Sequence, residues 1–180
     1  IRDEGRELED FAILFRTNAQ IRKMEEVLRE EKVPYRMVGA QSFYDRKEVR
    51  DVLGYAQLLD STEMDVSLLR VLNTPPRGIS QNTAMMAGEW SRERDQGIWK
   101  SLIDPEFLAG LSTRAVGSIN RFVEQLEDHQ RQIVNGDNPG VVLDRWLREM
   151  DFMEWLMRQC KADKERDARR EAVASTVGDL

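Results

Sequence analysis

An unbroken apolar run, Phe11-Ala-Ile-Leu-Phe15, stops at Arg16, and a helix-start signal follows at once. A short run of this kind, bounded by turn and cap residues, predicts a strand buried on both faces of a parallel sheet. Thr17 and Gln20 have the spacing of a capping box, in which paired side chains satisfy backbone donors at a helix start. Residues 34–38 read as a second short strand after a helix over 18–31. Strand, helix and strand at this spacing predict a right-handed βαβ unit. Open sheets of this type bind ligands beyond the carboxyl ends of their strands, and Arg16 stands at such an end. Its guanidinium is permanently charged and matches phosphate geometry, while Phe15 beside it offers a flat face for a base.

After Val38 the pattern is helical only. Residues 47–59 carry a stripe of Val49, Val52, Leu53 and Ala56. A short helix over 65–72 ends at Asn73-Thr-Pro-Pro76, because residues before proline leave the helical region. Further helices are predicted over 81–94 and 98–102. Asp104-Pro105 and Ala109-Gly-Leu-Ser112 mark the most plausible domain boundary. A long helix over 113–133 follows, capped by Ser112, with Val116, Ile119, Phe122, Val123 and Leu126 facing inward. The loop Asn135-Gly-Asp-Asn-Pro-Gly140 leads to helices over 141–150, after Asp151 as a cap, and over 164–177.

Composition narrows the chemistry. The chain has 180 residues, 41% hydrophobic and 33% charged, which suits a helix-rich globular fold rather than a disordered one. No apolar run approaches the roughly 18 residues of a membrane span, so no membrane partner is expected. With one cysteine and one histidine, neither a disulfide framework nor a zinc site built from those residues is expected, and no metal site is assigned. The single Cys160 fits a reducing, cytoplasmic setting. A net charge of −6 argues against a strongly electrostatic grip on nucleic acid by this chain alone.

Three blocks nevertheless stand in an informative order. Phe11 to Gln20 resembles motif IV of the superfamily 1 DNA helicases of the Rep/UvrD/PcrA family. Val38-Gly-Ala-Gln-Ser-Phe-Tyr-Asp-Arg-Lys-Glu-Val-Arg-Asp51 is similar to the next block of that family, and Val71-Leu-Asn-Thr-Pro-Pro-Arg-Gly-Ile79 to a third. Gly88-Glu-Trp90 and Met150-Asp-Phe-Met-Glu-Trp-Leu156 look most like the Rep branch. The resemblance implies a mainly α chain with a small parallel β element. Residues 1–108 would be the first portion of the second RecA-like motor domain, and residues 109–180 the first portion of the helical domain inserted into it. It further implies ATP and Mg²⁺ as cofactors of the parent protein, and 3′→5′ movement on single-stranded DNA with unwinding of duplex. Arg16 would contact the γ-phosphate and Phe15 would stack on adenine, although a tyrosine is commoner there. Arg46 and Arg77 are the candidate DNA contacts.

The sequence holds no Gly-x-x-x-x-Gly-Lys-Ser/Thr phosphate loop, no Asp-Glu pair after a hydrophobic strand and no motif V or VI. An excised internal piece of a larger helicase is therefore expected, inactive toward ATP on its own and with no cofactor bound. A truncated helical part would leave Trp155, Leu156 and Val173 under-covered and drive self-association. Two other functions stay open: the motor of a helicase–nuclease subunit, and a non-enzymatic helical interaction module.

Each candidate also has a plainer role. Arg16 can be an ordinary surface arginine and Phe15 a core strand residue. Phe43 can pack as a staple with Asp45 as a cap, which leaves Arg46 open. Arg77 can belong to a rigid turn in which Gly78 lets the backbone approach closely. Trp90, Trp99, Trp146 and Trp155 sit at helical spacing and read as core. His129, beside Asp128, reads as a solvated surface residue, and Cys160 as packing at a helix end.

Overall fold

The structure, a computed structural model, describes residues 7–39 and 42–180. The chain forms two compact units, Ile1–Arg46 and Lys47–Leu180. Residues 1–6 lie outside the described residues, as do Ala40 and Gln41 of the second block.

In the first unit a 3₁₀ turn at Leu8–Asp10 leads into residues 11–15, which form neither helix nor ladder. Helix α1 spans Asn18–Glu30. It ends in a Schellman arrangement: Lys32 takes φ 53, its N–H donates to the Arg29 carbonyl at 3.0 Å, and Val33 N–H donates to Leu28 at 2.8 Å. The capping box does not form. Thr17 makes no side-chain cap, and its backbone carbonyl takes the Gln20 N–H at 3.3 Å. Nor does the small parallel β element appear among the described residues. Leu14 is 94% exposed and Ile13 52%, so the run expected to be buried on both faces is not. A strand gains its ladder and its burial from neighbours, and no partner strand occurs among the described residues.

The second unit is helical throughout its described residues. Its central helix α2 (Lys47–Asp60) buries Val49, Val52, Tyr55 and Leu58 completely. Helix α3 (Asp65–Val71) crosses it closely, since a Cβ on Gly54 would stand 2.9 Å from Val71 Cγ1. The pair is joined by an ion pair to the buried Asp51 carboxylate, Arg70 Nη1 to Asp51 Oδ1 at 3.1 Å, with Lys47 Nζ 3.3 Å from the other carboxylate oxygen. Helix α4 (Gln81–Glu93) starts on Ser80, whose Oγ takes the Thr83 N–H at 3.1 Å. Helix α5 (Ile98–Leu102) is capped from a distance by Asp65, whose Oδ1 accepts the Ile98 N–H at 2.9 Å.

Asp104-Pro105 opens the short helix α6 (Pro105–Ala109). Asp104 caps it and also accepts the Trp90 indole N–H at 3.0 Å. That indole bond, then the cap, holds its carboxyl below the usual carboxylate range. Ser112 caps α7 (Thr113–Val134) as expected, accepting the Ala115 N–H at 3.3 Å. Helices α8 (Pro139–Glu149), α9 (Phe152–Arg158) and α10 (Asp163–Gly178) close the unit. Asp151 precedes α9 with φ 52 and makes no side-chain cap, unlike the sequence expectation.

The core centres on Trp146, fully buried, with Tyr55 edge-on at 4.7 Å and His129 stacked at 5.2 Å. Trp90, Trp99 and Trp155 pack at its margin. His129 corrects the surface expectation: it is 2% exposed. Its Nδ1–H donates to the Gln125 carbonyl at 2.7 Å, and Nε2 faces the Glu149 carboxylate at 3.3 Å. Leu156 and Val173, expected to be under-covered, are buried within the chain, and Trp155 is half-buried. Cys160 is buried just after α9, in the packing role expected of it. No helix among the described residues is long and apolar enough to cross a membrane.

Candidate functional site

Arg16 lies two residues before α1, exposed. Among the described residues its guanidinium makes no ion pair or hydrogen bond. Phe15 beside it is half-buried. Among the described residues Arg16 is therefore an uncommitted cation, adjacent to Phe15 in the chain.

Arg46 belongs to an arginine–aromatic cluster that the sequence did not reveal. The 3₁₀ turn Phe43–Asp45 is capped by Ser42, whose Oγ accepts the Tyr44 N–H at 3.3 Å. Phe43 is buried and meets Tyr44 edge-on at 5.3 Å. Arg22 and Arg29, on one face of α1 and about two turns apart, lie over Phe43 and Tyr44, each 4.1 Å from the ring centre. Arg46 stands 5.6 Å from the Phe43 ring. Glu25, 2% exposed, fastens this turn to α1: it accepts the Phe43 N–H at 3.1 Å and the Tyr35 hydroxyl at 3.0 Å. An open groove of about 570 Å³ runs alongside, lined by Arg29, Tyr35, Arg36 and Ser42 among others. The signal was present as Arg22 and Arg29 at seven-residue spacing, but their rings lie far along the chain.

In the second unit Arg77 is half-buried in the Asn73–Gly78 turn, which contains a cis Thr74–Pro75 bond. Its backbone N–H donates to Asn73 Oδ1 at 2.8 Å. Its Nη2 donates to the Tyr55 hydroxyl and, at 3.2 Å, to the Thr74 carbonyl. The guanidinium lies 4.8 Å over the Phe122 ring. Arg77 is thus fastened into the turn that the plainer reading expected, with one terminal nitrogen, Nη1, buried and without an acceptor. Tyr55 was not singled out from sequence, yet its hydroxyl organises this turn. Burial pushes its pKa up to about 12, against the lowering pull of Arg77. Among the described residues no group of three or more His, Cys, Asp or Glu side chains stands close enough to hold a metal ion.

The family described as UvrD-like helicase C-terminal domain matches residues 1–98. The chain is 31% identical over 164 residues to the ATP-dependent DNA helicase Rep of Escherichia coli (strain K12), which covers 91% of the chain and 24% of that protein. It is 32% identical over 155 residues to Rep of Buchnera aphidicola subsp. Baizongia pistaciae, covering 86% of the chain and 23% of that protein. It is 35% identical over 155 residues to the ATP-dependent DNA helicase PcrA of Staphylococcus aureus (strain Mu50), covering 86% of the chain and 21% of that protein. The chain thus spans less than a quarter of the length of these relatives. With more than half of its residues matched in one block, the chain belongs to the UvrD-like helicase C-terminal domain family.

Proposed function

We propose that the chain is part of an ATP-driven DNA helicase that moves 3′→5′ on single-stranded DNA in the cytoplasm and unwinds duplex. In this reading residues 1–108 are the first portion of its second RecA-like α/β motor domain, and residues 109–180 the first portion of the inserted helical domain. The observation that carries it is the family match over residues 1–98, which spans all three helicase-like blocks in order. ATP with Mg²⁺ supplies the phosphoryl group whose transfer to water drives such a motor. Of the groups that would hold it, this chain offers Arg16, exposed and uncommitted, and Phe15 as a stacking face. Arg16 stabilises charge that grows on the transferring phosphoryl oxygens, so its contact strengthens toward the transition state. Arg46 and Arg29, set beside the Phe43 and Tyr44 rings, offer cationic surface to a single strand. Arg77 serves the turn first, through Tyr55 and Thr74.

The test is Arg16→Ala in the full-length protein that carries this chain. DNA-stimulated ATP hydrolysis should lose on the order of 10³-fold in kcat while KM moves less. Near-wild-type turnover would make Arg16 an ordinary surface residue. The isolated chain, which has no phosphate loop in its sequence, should release no phosphate from ATP above background even with single-stranded DNA present.

A further inference from the structure

Glu25, in the middle of α1, is 2% exposed. A carboxylate taken out of water costs free energy unless its oxygens accept hydrogen bonds. Here each oxygen serves a different branch. Oε2 accepts the Phe43 N–H at 3.1 Å. The Phe43 carbonyl in turn accepts the Arg46 N–H at 3.3 Å, and the Arg46 guanidinium stands 5.6 Å from the Phe43 ring. Oε1 accepts the Tyr35 hydroxyl at 3.0 Å. That hydroxyl accepts from Arg29 Nε at 3.2 Å, and the Arg29 guanidinium lies 4.1 Å over the Tyr44 ring. Arg29 is exposed and Arg46 half-buried, yet both are tied through one intermediate residue to the same buried side chain.

We propose that Glu25 is a positioning residue for the single-strand contact: it touches no nucleic acid but sets where Arg29 and Arg46 stand. This role rests on the reading of those two arginines as strand contacts. By charge alone, a carboxylate near strand-facing arginines weakens their pull on phosphate. Its two hydrogen bonds act in the opposite direction. A guanidinium already held in place loses less side-chain freedom when it closes on a phosphate. Removing the whole side chain and removing only its charge therefore have opposite effects on strand binding, and this separates positioning from electrostatics.

The test uses the full-length protein that carries this chain. A dye-labelled single-stranded oligonucleotide is titrated at fixed salt, and DNA-stimulated ATP hydrolysis is measured in parallel. Glu25→Ala cuts both branches. It should weaken strand binding about tenfold, raise the DNA needed for half-maximal hydrolysis equally, and leave kcat at saturating DNA unchanged. A purely stabilising residue would instead lower the active fraction, and so kcat, at unchanged strand affinity. Glu25→Gln keeps an acceptor for the Phe43 N–H without the charge, and should bind the strand at least as tightly as the wild type. Tyr35→Phe is milder: it cuts the Arg29 branch alone and should weaken binding about threefold. It decides the matter if Glu25→Ala does not fold. Arg46→Ala should weaken binding in the wild type and add little in the Glu25→Ala background. Glu25→Ala binding as tightly as the wild type, Glu25→Gln as weak as Glu25→Ala, or wild-type affinity in Tyr35→Phe overturns the positioning role and leaves the arginines as strand contacts. Full additivity of Glu25→Ala with Arg46→Ala does the same. Wild-type affinity in both Arg29→Ala and Arg46→Ala removes the strand contact itself, and the positioning role with it.

Discussion

Tyr55 shows how much one hydroxyl can organise. It donates to the Thr74 carbonyl and accepts from Arg77, so it joins the middle of α2 to a turn some 20 residues later. Because its folded pKa is raised from 10.0 to about 12, the neutral form is favoured by folding. That contribution is complete below pH 10, the unfolded value, and is lost as pH rises through about 12; the whole loss amounts to about 3 kcal/mol. Urea denaturation between pH 9 and 12 should show this loss, and Tyr55→Phe should lack it. An identical alkaline decline in both proteins would place the effect elsewhere. None of these contacts was readable from spacing. Tyr55 fell within a helix already assigned by its aliphatic stripe, and its partners are remote in sequence. His129 escaped for the same reason: Asp128 is its neighbour in sequence, but Trp146 and Glu149 are its neighbours in space.

Helices were far more legible, because their signal is local. Residues 113–133 were read as a helix from Ser112 and an apolar stripe, and Thr113–Val134 is helical. Ser112→Ala should cost about 1 kcal/mol in a denaturation measurement, the usual worth of an N-cap. Gly54 offers a sharper test. Alanine is the better helix former by about 1 kcal/mol, yet its Cβ would press on Val71 Cγ1, a stiff and fully buried side chain. Overpacking of that kind costs about 1–3 kcal/mol, so Gly54→Ala should destabilise the protein. A gain in stability would mean that α3 yields. The strands expected over 11–15 and 34–38 mark the opposite limit. Apolar content suggested them, but a ladder is a property of two segments, and the described residues supply only one side.

The burial of Leu156 and Val173 changes the expectation for the whole chain. Their sequence stripes suggested open apolar faces and self-association. In the structure α10 packs on α2, α8 and α9, and these side chains fill the core. Leu156→Ala should therefore lower stability by about 2–5 kcal/mol and leave the dependence of the sedimentation coefficient on concentration unchanged from that of the wild type. Dissociation of an oligomer by this substitution would restore the association reading. The family was legible because three blocks keep their order over a long stretch of chain. The arginine–aromatic cluster was not, since it draws on residues spread over tens of positions.

The distribution of tryptophan has an experimental consequence. Trp90, Trp99, Trp146 and Trp155 all lie in the unit from Lys47 to Leu180, while the unit before it has only tyrosine and phenylalanine. Emission excited at the red edge of indole absorption is therefore a private signal of one unit. Within that signal the fully enclosed Trp146 should emit bluest and resist acrylamide quenching, and the three marginal indoles should give the redder, quenchable fraction. The α1 unit is dark in this channel, so any label placed there reads out separately without correction.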